Sequence, residues 1–431
     1  MTESTVRVGM LGCGNVGSAV VRLIHDHADI LTPRAGRKIE VARVAVRDLS
    51  KERDVPLGAD AFTADLESVV TDPDIDVIVE VMGAIEPART HIRQALEAGK
   101  PVVSANKELL ANCGRELIDA AEAAGVDLLF EAAVAGGIPL IRPLRESLAG
   151  ERIQRVLGIV NGTTNYILTR MTEDGWTFDE ALVEAQRLGY AEPDPTADVE
   201  GYDAAAKAAI IASIAFGAEV RASDVYREGL TGVTVEDIQA ARDLGYVVKL
   251  LAIADTEGSR VSARVHPAFV PADHPLAAVR ESFNAVFIEG AAVGELMLYG
   301  PGAGPGPTAS AVLGDLIDAV RNLSSGGPGA KVGHWDRREI LPIDDVESQF
   351  YVHLEVADRP GVLATIAGFF GNHDVSIMSV QQRGRGDKAE LIFVTHTARN
   401  ADLFATIDDI RDFDAVRRVG SVLRVVGEDP A

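Results

Sequence analysis

Residues 5–25, TVRVGMLGCGNVGSAVVRLIH, decide the fold. Residues 5–11 are a short β-branched and apolar run, which predicts a strand. Gly12-Cys13-Gly14-Asn15-Val16-Gly17 follows, and a helical pattern begins at Ser18. Strand, GxGxxG and helix in that order form the dinucleotide-binding fingerprint. Gly12 permits the tight turn, and Gly14 lets a pyrophosphate approach the backbone. Gly17 lets the helix pack on the strand, with its first N–H groups directed at the phosphates. The expected cofactor contacts are Gly12, Gly14, Asn15, Val16 and Gly17.

Outward from this motif, residues 40–46 predict the next strand, reached through a polar loop at 32–38. Arg47 and Asp48 follow it, with Lys51 and Arg53 close by. An arginine at this strand end suits the 2′-phosphate of NADP, whereas an acid suits the ribose hydroxyls of NAD. NADP(H) is therefore the preferred cofactor, held in part by Arg47, and Asp48 keeps NAD(H) open. Strands are expected at 76–81 and 101–104, with a helix at 87–98 between them. The second of these closes in Ser104-Ala105-Asn106-Lys107. Ligands of open α/β sheets sit beyond the carboxyl ends of the strands, which places Lys107 near cofactor or substrate. A further strand at 127–131 leads into the small-residue turn AAVAGGIP (132–139), whose carbonyls together with Glu131 could hold a hard monovalent cation.

The pattern changes at Arg152. A strand at 156–160, a polar turn Asn161-Gly162-Thr163-Thr164-Asn165, and strands at 262–269, 285–288 and 295–299 suggest a second, α+β domain over 151–307. Residues 189–207, GYAEPDPTADVEGYDAAAK, are its densest chemistry. Pro193 and Pro195 keep the first half extended. The alanine-rich second half predicts a helix on which Asp203 and Lys207 share a face. Several acids beside one ammonium suit a substrate that carries an amino group and needs a proton donor. An ion pair on a solvated helix would give the same pattern. A helix at 308–323 could return to the first domain, 1–150. After a linker at 324–349, residues 350–431 repeat strand, helix, strand, strand, helix, strand, a βαββαβ ferredoxin-like unit. It holds no catalytic constellation, so a regulatory role is expected.

Composition narrows the classes. The chain has 431 residues and 47% apolar content, enough for two or three domains with a sizeable core. No apolar run is long enough for a membrane helix. The net charge of −24 argues against general nucleic-acid binding. Two cysteines, Cys13 and Cys113, and no secretory leader suggest a reduced, cytoplasmic protein. The histidines show no zinc-site spacing.

Taken together, GCGNVG, SANK, FEAAVAGGIP, NGTTNYIL, LGYAEPDPTADVEGYDAAAK and the GPGAG turn resemble a monofunctional homoserine dehydrogenase over residues 5–323, followed by an ACT domain. No aspartokinase-like segment precedes the dinucleotide motif, so the bifunctional form is not expected. The resemblance implies NAD(P)-dependent interconversion of L-aspartate 4-semialdehyde and L-homoserine, a step toward threonine, methionine and isoleucine. It implies Lys207 as proton donor and Lys107 as a second catalytic lysine. It further implies Glu192, Asp198 and Asp203 as substrate ligands, and Ser104, Lys107 and Gly302 among the cofactor contacts. Glu131, Val134, Gly136 and Ile138 would hold a sodium ion. DRPGVLATIAGFF resembles amino-acid-sensing segments and implies feedback by threonine, and the family implies a homodimer or homotetramer.

The chemistry of the residues agrees with that role. When hydride reaches the aldehyde carbon, charge grows on its oxygen, and a lysine ammonium supplies both stabilisation and a proton. An unperturbed lysine titrates at about 10.4 and is protonated at neutral pH. Two other readings are a different dehydrogenase with an ACT tail, for which no suitably placed histidine stands out, and a non-catalytic, amino-acid-responsive NADP sensor, which would not need the Asp203–Lys207 face.

Overall fold

The computed structural model describes residues 5–330, 335–384 and 389–427. The chain forms two compact units. The first takes the described residues up to Val156 together with Ala206–Val225 and Asn284–Arg338. The second takes Leu157–Ala205, Tyr226–Phe283 and the described residues from Glu339 onward.

In the first unit, six parallel strands form one sheet: β1 (Val6–Leu11), β2 (Ile39–Ala45), β3 (Phe62–Thr63), β4 (Val77–Glu80), β5 (Val102–Ser104) and β6 (Leu128–Leu129). Their spatial order is β3-β2-β1-β4-β5-β6, the doubly wound arrangement. The order reverses between β1 and β4, so a crevice opens beyond their carboxyl ends. β4 is wholly buried and β1 is buried except at Arg7, as expected for a parallel sheet covered on both faces. The helix Pro305–Ser325 adds Val312, Leu316 and Val320 to the core built by Val6, Val8, Met10, Val20 and Val79. The connection after the first helix contains a further helix, Ala28–Ala35, where the sequence suggested only a loop from residue 32. Gly36, in the left-handed region, ends it.

The second unit has a mixed sheet. Tyr246–Glu257 pairs antiparallel with Arg260–Pro271, and the latter runs parallel to Val416–Val425. Val416–Val425 pairs with Glu347–Val356, which pairs with Ala389–Thr395, and that strand pairs with Ile377–Arg383, all antiparallel. With the helices Val362–Asn372 and Asn400–Arg411 the last four strands form the βαββαβ unit. Its core holds Phe350, Val352, Leu354, Ile366, Phe370, Phe393, Leu403 and Ile407. The strand Tyr246–Glu257 is absent from the sequence reading. Its central residues are all buried, so it lacks the alternation that marks a half-exposed strand.

Candidate active site

The glycine loop meets the demands of a dinucleotide cradle. Gly12 has φ of 102°, where a side chain would be strained. A Cβ on Gly17 would lie 2.7 Å from the Gly12 carbonyl oxygen, so helix and loop are in backbone contact. At Gly14 a Cβ would meet nothing within 4 Å, leaving the open space a pyrophosphate requires. The helix Asn15–Asp26 starts there with no side-chain cap, so its first N–H groups are available to phosphate. The residues present therefore fit a dinucleotide.

Beyond β2, Arg47 and Asp48 are exposed. The Asp48 carboxylate accepts from Ser50 N at 2.9 Å and Ser50 Oγ at 2.6 Å, and these bonds hold its pKa below the usual value. It is turned to its own loop. Arg53 ties that loop to the glycine turn: Nε donates to the Cys13 carbonyl at 3.3 Å and Nη2 to the Asp48 carbonyl at 2.8 Å.

A buried acid organises the ends of β4 and β5. Glu80 accepts from Ser104 Oγ at 2.7 Å, Met82 N at 2.8 Å and Gly83 N at 3.3 Å. Burial raises its pKa, and the hydrogen bonds oppose that rise. Ser104 is wholly buried, so its hydroxyl serves this network. Asn106 caps the helix Lys107–Ala124 by accepting from Leu109 N at 3.1 Å, and donates to the Ala84 carbonyl at 2.6 Å. Lys107, the first helical residue, thereby has a fixed starting point.

At the turn after β6, the Glu131 carboxylate accepts from the backbone N–H groups of Leu140 (2.5 Å), Ile141 (2.8 Å) and Arg142 (2.8 Å). Ala135 and Gly136 both have positive φ, 57° and 54°. Glu131, Val134, Gly136 and Ile138 are all buried. Among the described residues no group of three or more His, Cys, Asp or Glu side chains could hold a metal. A cation at this turn would be met chiefly by carbonyl oxygens, which suits a hard monovalent ion better than a transition metal.

The segments that follow β4, β5 and β6 line a cleft of about 240 Å³ in the first unit. Lys107, Lys207, Asn106, Gly136, Gly302 and Thr308 are among its lining residues. A larger cleft of about 790 Å³ on the same unit contains none of the site residues named from sequence. Its arginines include Arg89 and Arg221, paired to Glu116 and Glu219. The smaller cleft is the candidate site because the chemistry converges there.

In the second unit, Asn161 gathers two acids. Its Nδ2 donates to Asp198 Oδ1 at 2.7 Å and to Asp203 Oδ2 at 2.9 Å. Its Oδ1 accepts from Thr164 N at 2.9 Å and so caps the helix Gly162–Asp174. Glu192 is exposed, and its carbonyl accepts from Gln186 Nε2 at 3.1 Å. Asp203 lies in the first turn of the helix Tyr202–Phe216, and Lys207 lies one turn further along it. Both are more than nine-tenths buried. Asn161 and Glu80 were missed as site residues. Their signals were an Asn before an N-terminal helix pattern, and one acid closing an apolar strand.

Comparison with known proteins matches residues 12–131 to the homoserine dehydrogenase NAD-binding domain, 139–317 to homoserine dehydrogenase and 351–415 to the ACT domain. A homoserine dehydrogenase of Mycobacterium tuberculosis is 52% identical over 99% of this chain and 98% of its own length. The chain belongs to the homoserine dehydrogenase family. The crystal structure of a homoserine dehydrogenase from Thiobacillus denitrificans aligns with a TM-score of 0.92 and 41% identity over 98% of both chains. A hyperthermophilic archaeal homoserine dehydrogenase in complex with NADPH aligns at 0.62 and 30% identity, over 73% of this chain and 98% of its own. As a homoserine dehydrogenase the chain is an NAD(P)-dependent oxidoreductase, with NAD-binding, catalytic and ACT regions. Among the described residues no helix is long and apolar enough to cross a membrane.

Proposed function

We propose that the protein reversibly reduces L-aspartate 4-semialdehyde to L-homoserine, with Lys207 and Lys107 as its catalytic residues. The observation that carries this reading is the shared cleft, which both lysines line together with Gly136 and Gly302. The bound nicotinamide cofactor would supply or accept the hydride. Lys207 donates a proton to the aldehyde oxygen, or removes it from the alcohol in the reverse direction. Lys107, anchored by the Asn106 cap, stabilises the charge on that oxygen. Asp198, Asp203 and Glu192 bind the α-ammonium, and the helix that carries Asp203 also carries Lys207 one turn later.

NADP(H) is the preferred cofactor, with NAD(H) as the alternative. Arg47 is available for the 2′-phosphate and Arg53 is already held at the glycine turn, whereas the Asp48 carboxylate is engaged by Ser50. The buried turn of Glu131, Val134, Gly136 and Ile138 holds sodium through carbonyl oxygens. The ACT region senses threonine, the product whose synthesis this step feeds along with methionine and isoleucine. The enzyme works in the cytoplasm as a homodimer or homotetramer.

The test is homoserine-dependent reduction of NADP and of NAD, followed by absorbance of the reduced nicotinamide, with and without threonine and with sodium exchanged for a larger cation. Turnover favouring NADP and falling with threonine is expected. Absence of turnover with either cofactor would overturn the catalytic reading and leave an amino-acid-responsive NADP sensor. Light scattering of the purified chain gives the assembly state.

A further inference from the structure

We propose that Asn161 is a positioning residue, whose side-chain amide holds Asp198 and Asp203 as an oriented pair for the substrate's ammonium. This inference rests on the reading of those acids as the ammonium site. Three features of the amide carry it. First, the two N–H groups of Nδ2 go to different carboxylates, at 2.7 Å and 2.9 Å. Two carboxylates brought together in a largely buried place repel, and a shared donor offsets part of that cost.

Second, the amide's orientation is determined chemically. Thr164 N–H can only donate, so the oxygen of Asn161 must face it, 2.9 Å away. Ionised carboxylates can only accept, so the nitrogen must face them. The helix cap and the acid pair therefore lock each other, and a flipped amide would lose both bonds to the acids and the bond from Thr164 N–H.

Third, the amide is neutral. A lysine or arginine here would bond the same acids but cancel the charge that attracts a cationic substrate. The amide orients both acids without bringing a positive charge of its own. Because Asp203 lies one turn before Lys207, fixing Asp203 also fixes the ammonium relative to the lysine that handles the proton.

The deciding variant is Asn161→Ser. Serine is an equally good N-cap, so the helix start is kept, but it cannot bridge two carboxylates. Kinetics would be measured with homoserine and with 4-hydroxybutanoate, the analogue that lacks the amino group, alongside melting temperature and KM for NADP. The expected result is a rise in KM for homoserine on the order of tenfold, about 1.4 kcal/mol of binding. KM for NADP and turnover of the analogue should stay near wild type. Equal losses for both substrates, or an unchanged KM for homoserine, would overturn the proposal. Should the serine variant fail to fold, Asn161→Thr keeps a capping oxygen but offers one hydroxyl donor in place of two N–H groups, and the same substrate comparison applies. Asp198→Asn and Asp203→Asn separate the two levels. If neither changes KM for homoserine, the reading of the acids itself fails. If they raise it while the Asn161 variants do not, the positioning role alone fails.

Discussion

Lys107 and Lys207 line one cleft from two different helices. One opens its helix behind an asparagine cap, and the other follows an acid by one turn near the start of its helix. Two ammonium groups on one small cleft suit a reaction in which negative charge develops on oxygen. Lys207→Ala is expected to lower kcat by roughly a hundred- to ten-thousandfold, the usual scale for a lost general acid. The dissociation constant for NADP, from fluorescence titration, should change little. An equal loss of cofactor affinity would mean that Lys207 supports the cleft instead of the proton transfer.

Gly14 and Gly17 should separate binding from stability. Gly14 has φ of −82°, which any residue can adopt, and a Cβ there meets no protein atom within 4 Å. Gly14→Ala should melt like the parent while KM for NADP rises by about tenfold or more, the equivalent of about 1.4 kcal/mol. Gly17→Ala pushes a Cβ to 2.7 Å from a backbone carbonyl and should destabilise the fold by about 1–3 kcal/mol in chemical denaturation. Reversed behaviour of the two variants would remove the phosphate cradle from its present position.

Gly136 makes a stronger demand. Its φ is 54°, and a Cβ would lie 2.2 Å from the Gly302 carbonyl oxygen. Backbone blocks both sides of the clash, so no side-chain rotation relieves it. Gly136→Ala is expected to cost at least about 1–3 kcal/mol in thermal or denaturant unfolding. It should also abolish turnover by reshaping the cleft that Gly136 and Gly302 share with the two lysines. A stable and active Gly136→Ala enzyme would show that this approach is not needed.

What could be read from the sequence follows from the range of the interactions. The glycine loop is local: strand, turn and helix are contiguous, and so is the βαββαβ order of residues 350–425. Asp203 and Lys207 are also local, one helical turn apart. Asn161 illustrates the limit. Its motif shows a helix cap, but its bonds to Asp198 and Asp203 exist only once the chain has folded back on itself. Lys107 and Lys207 could each be nominated, yet their sharing of a cleft is a tertiary fact. Tyr246–Glu257 escaped because burial on both faces erased its period.

Lys249 gives a pH signature. It is 2% exposed, and Nζ donates to Asn165 Oδ1 at 3.0 Å and to the Val279 carbonyl. Desolvation lowers its pKa from 10.5 to about 8. The folded pKa thus lies below the unfolded one, and between them the unfolded chain binds more protons. Stability contributed at this site therefore rises with pH from about 8 to 10.5, by at most about 1.4 kcal/mol per pH unit. Denaturant unfolding of the parent and of Lys249→Met across that window measures it. The parent's stability relative to the variant should climb with pH, and a flat difference would mean an unshifted lysine.

The ACT region is joined to the segment before it by polar contacts, and these can be cut one at a time. Ser421 Oγ donates to Asp237 Oδ2 at 2.6 Å, and the same oxygen accepts from Thr234 N at 2.9 Å and Thr234 Oγ1 at 2.8 Å. Asp237 is wholly buried. Nearby, Arg424 Nη1 meets Glu228 Oε1 at 2.9 Å, and Arg383 Nη1 meets Asp243 Oδ2 at 2.9 Å. Ser421→Ala removes one donor from a charged acceptor that keeps two others, which predicts a loss of about 1.5–3 kcal/mol in unfolding free energy. Turnover without effector should be unchanged, because Ser421 lies outside the cleft. If the proposed threonine response runs through this contact, the threonine concentration giving half inhibition should rise in Ser421→Ala. An unaltered inhibition curve together with the stability loss would assign the contact to packing alone and send the search to Arg424 and Glu228.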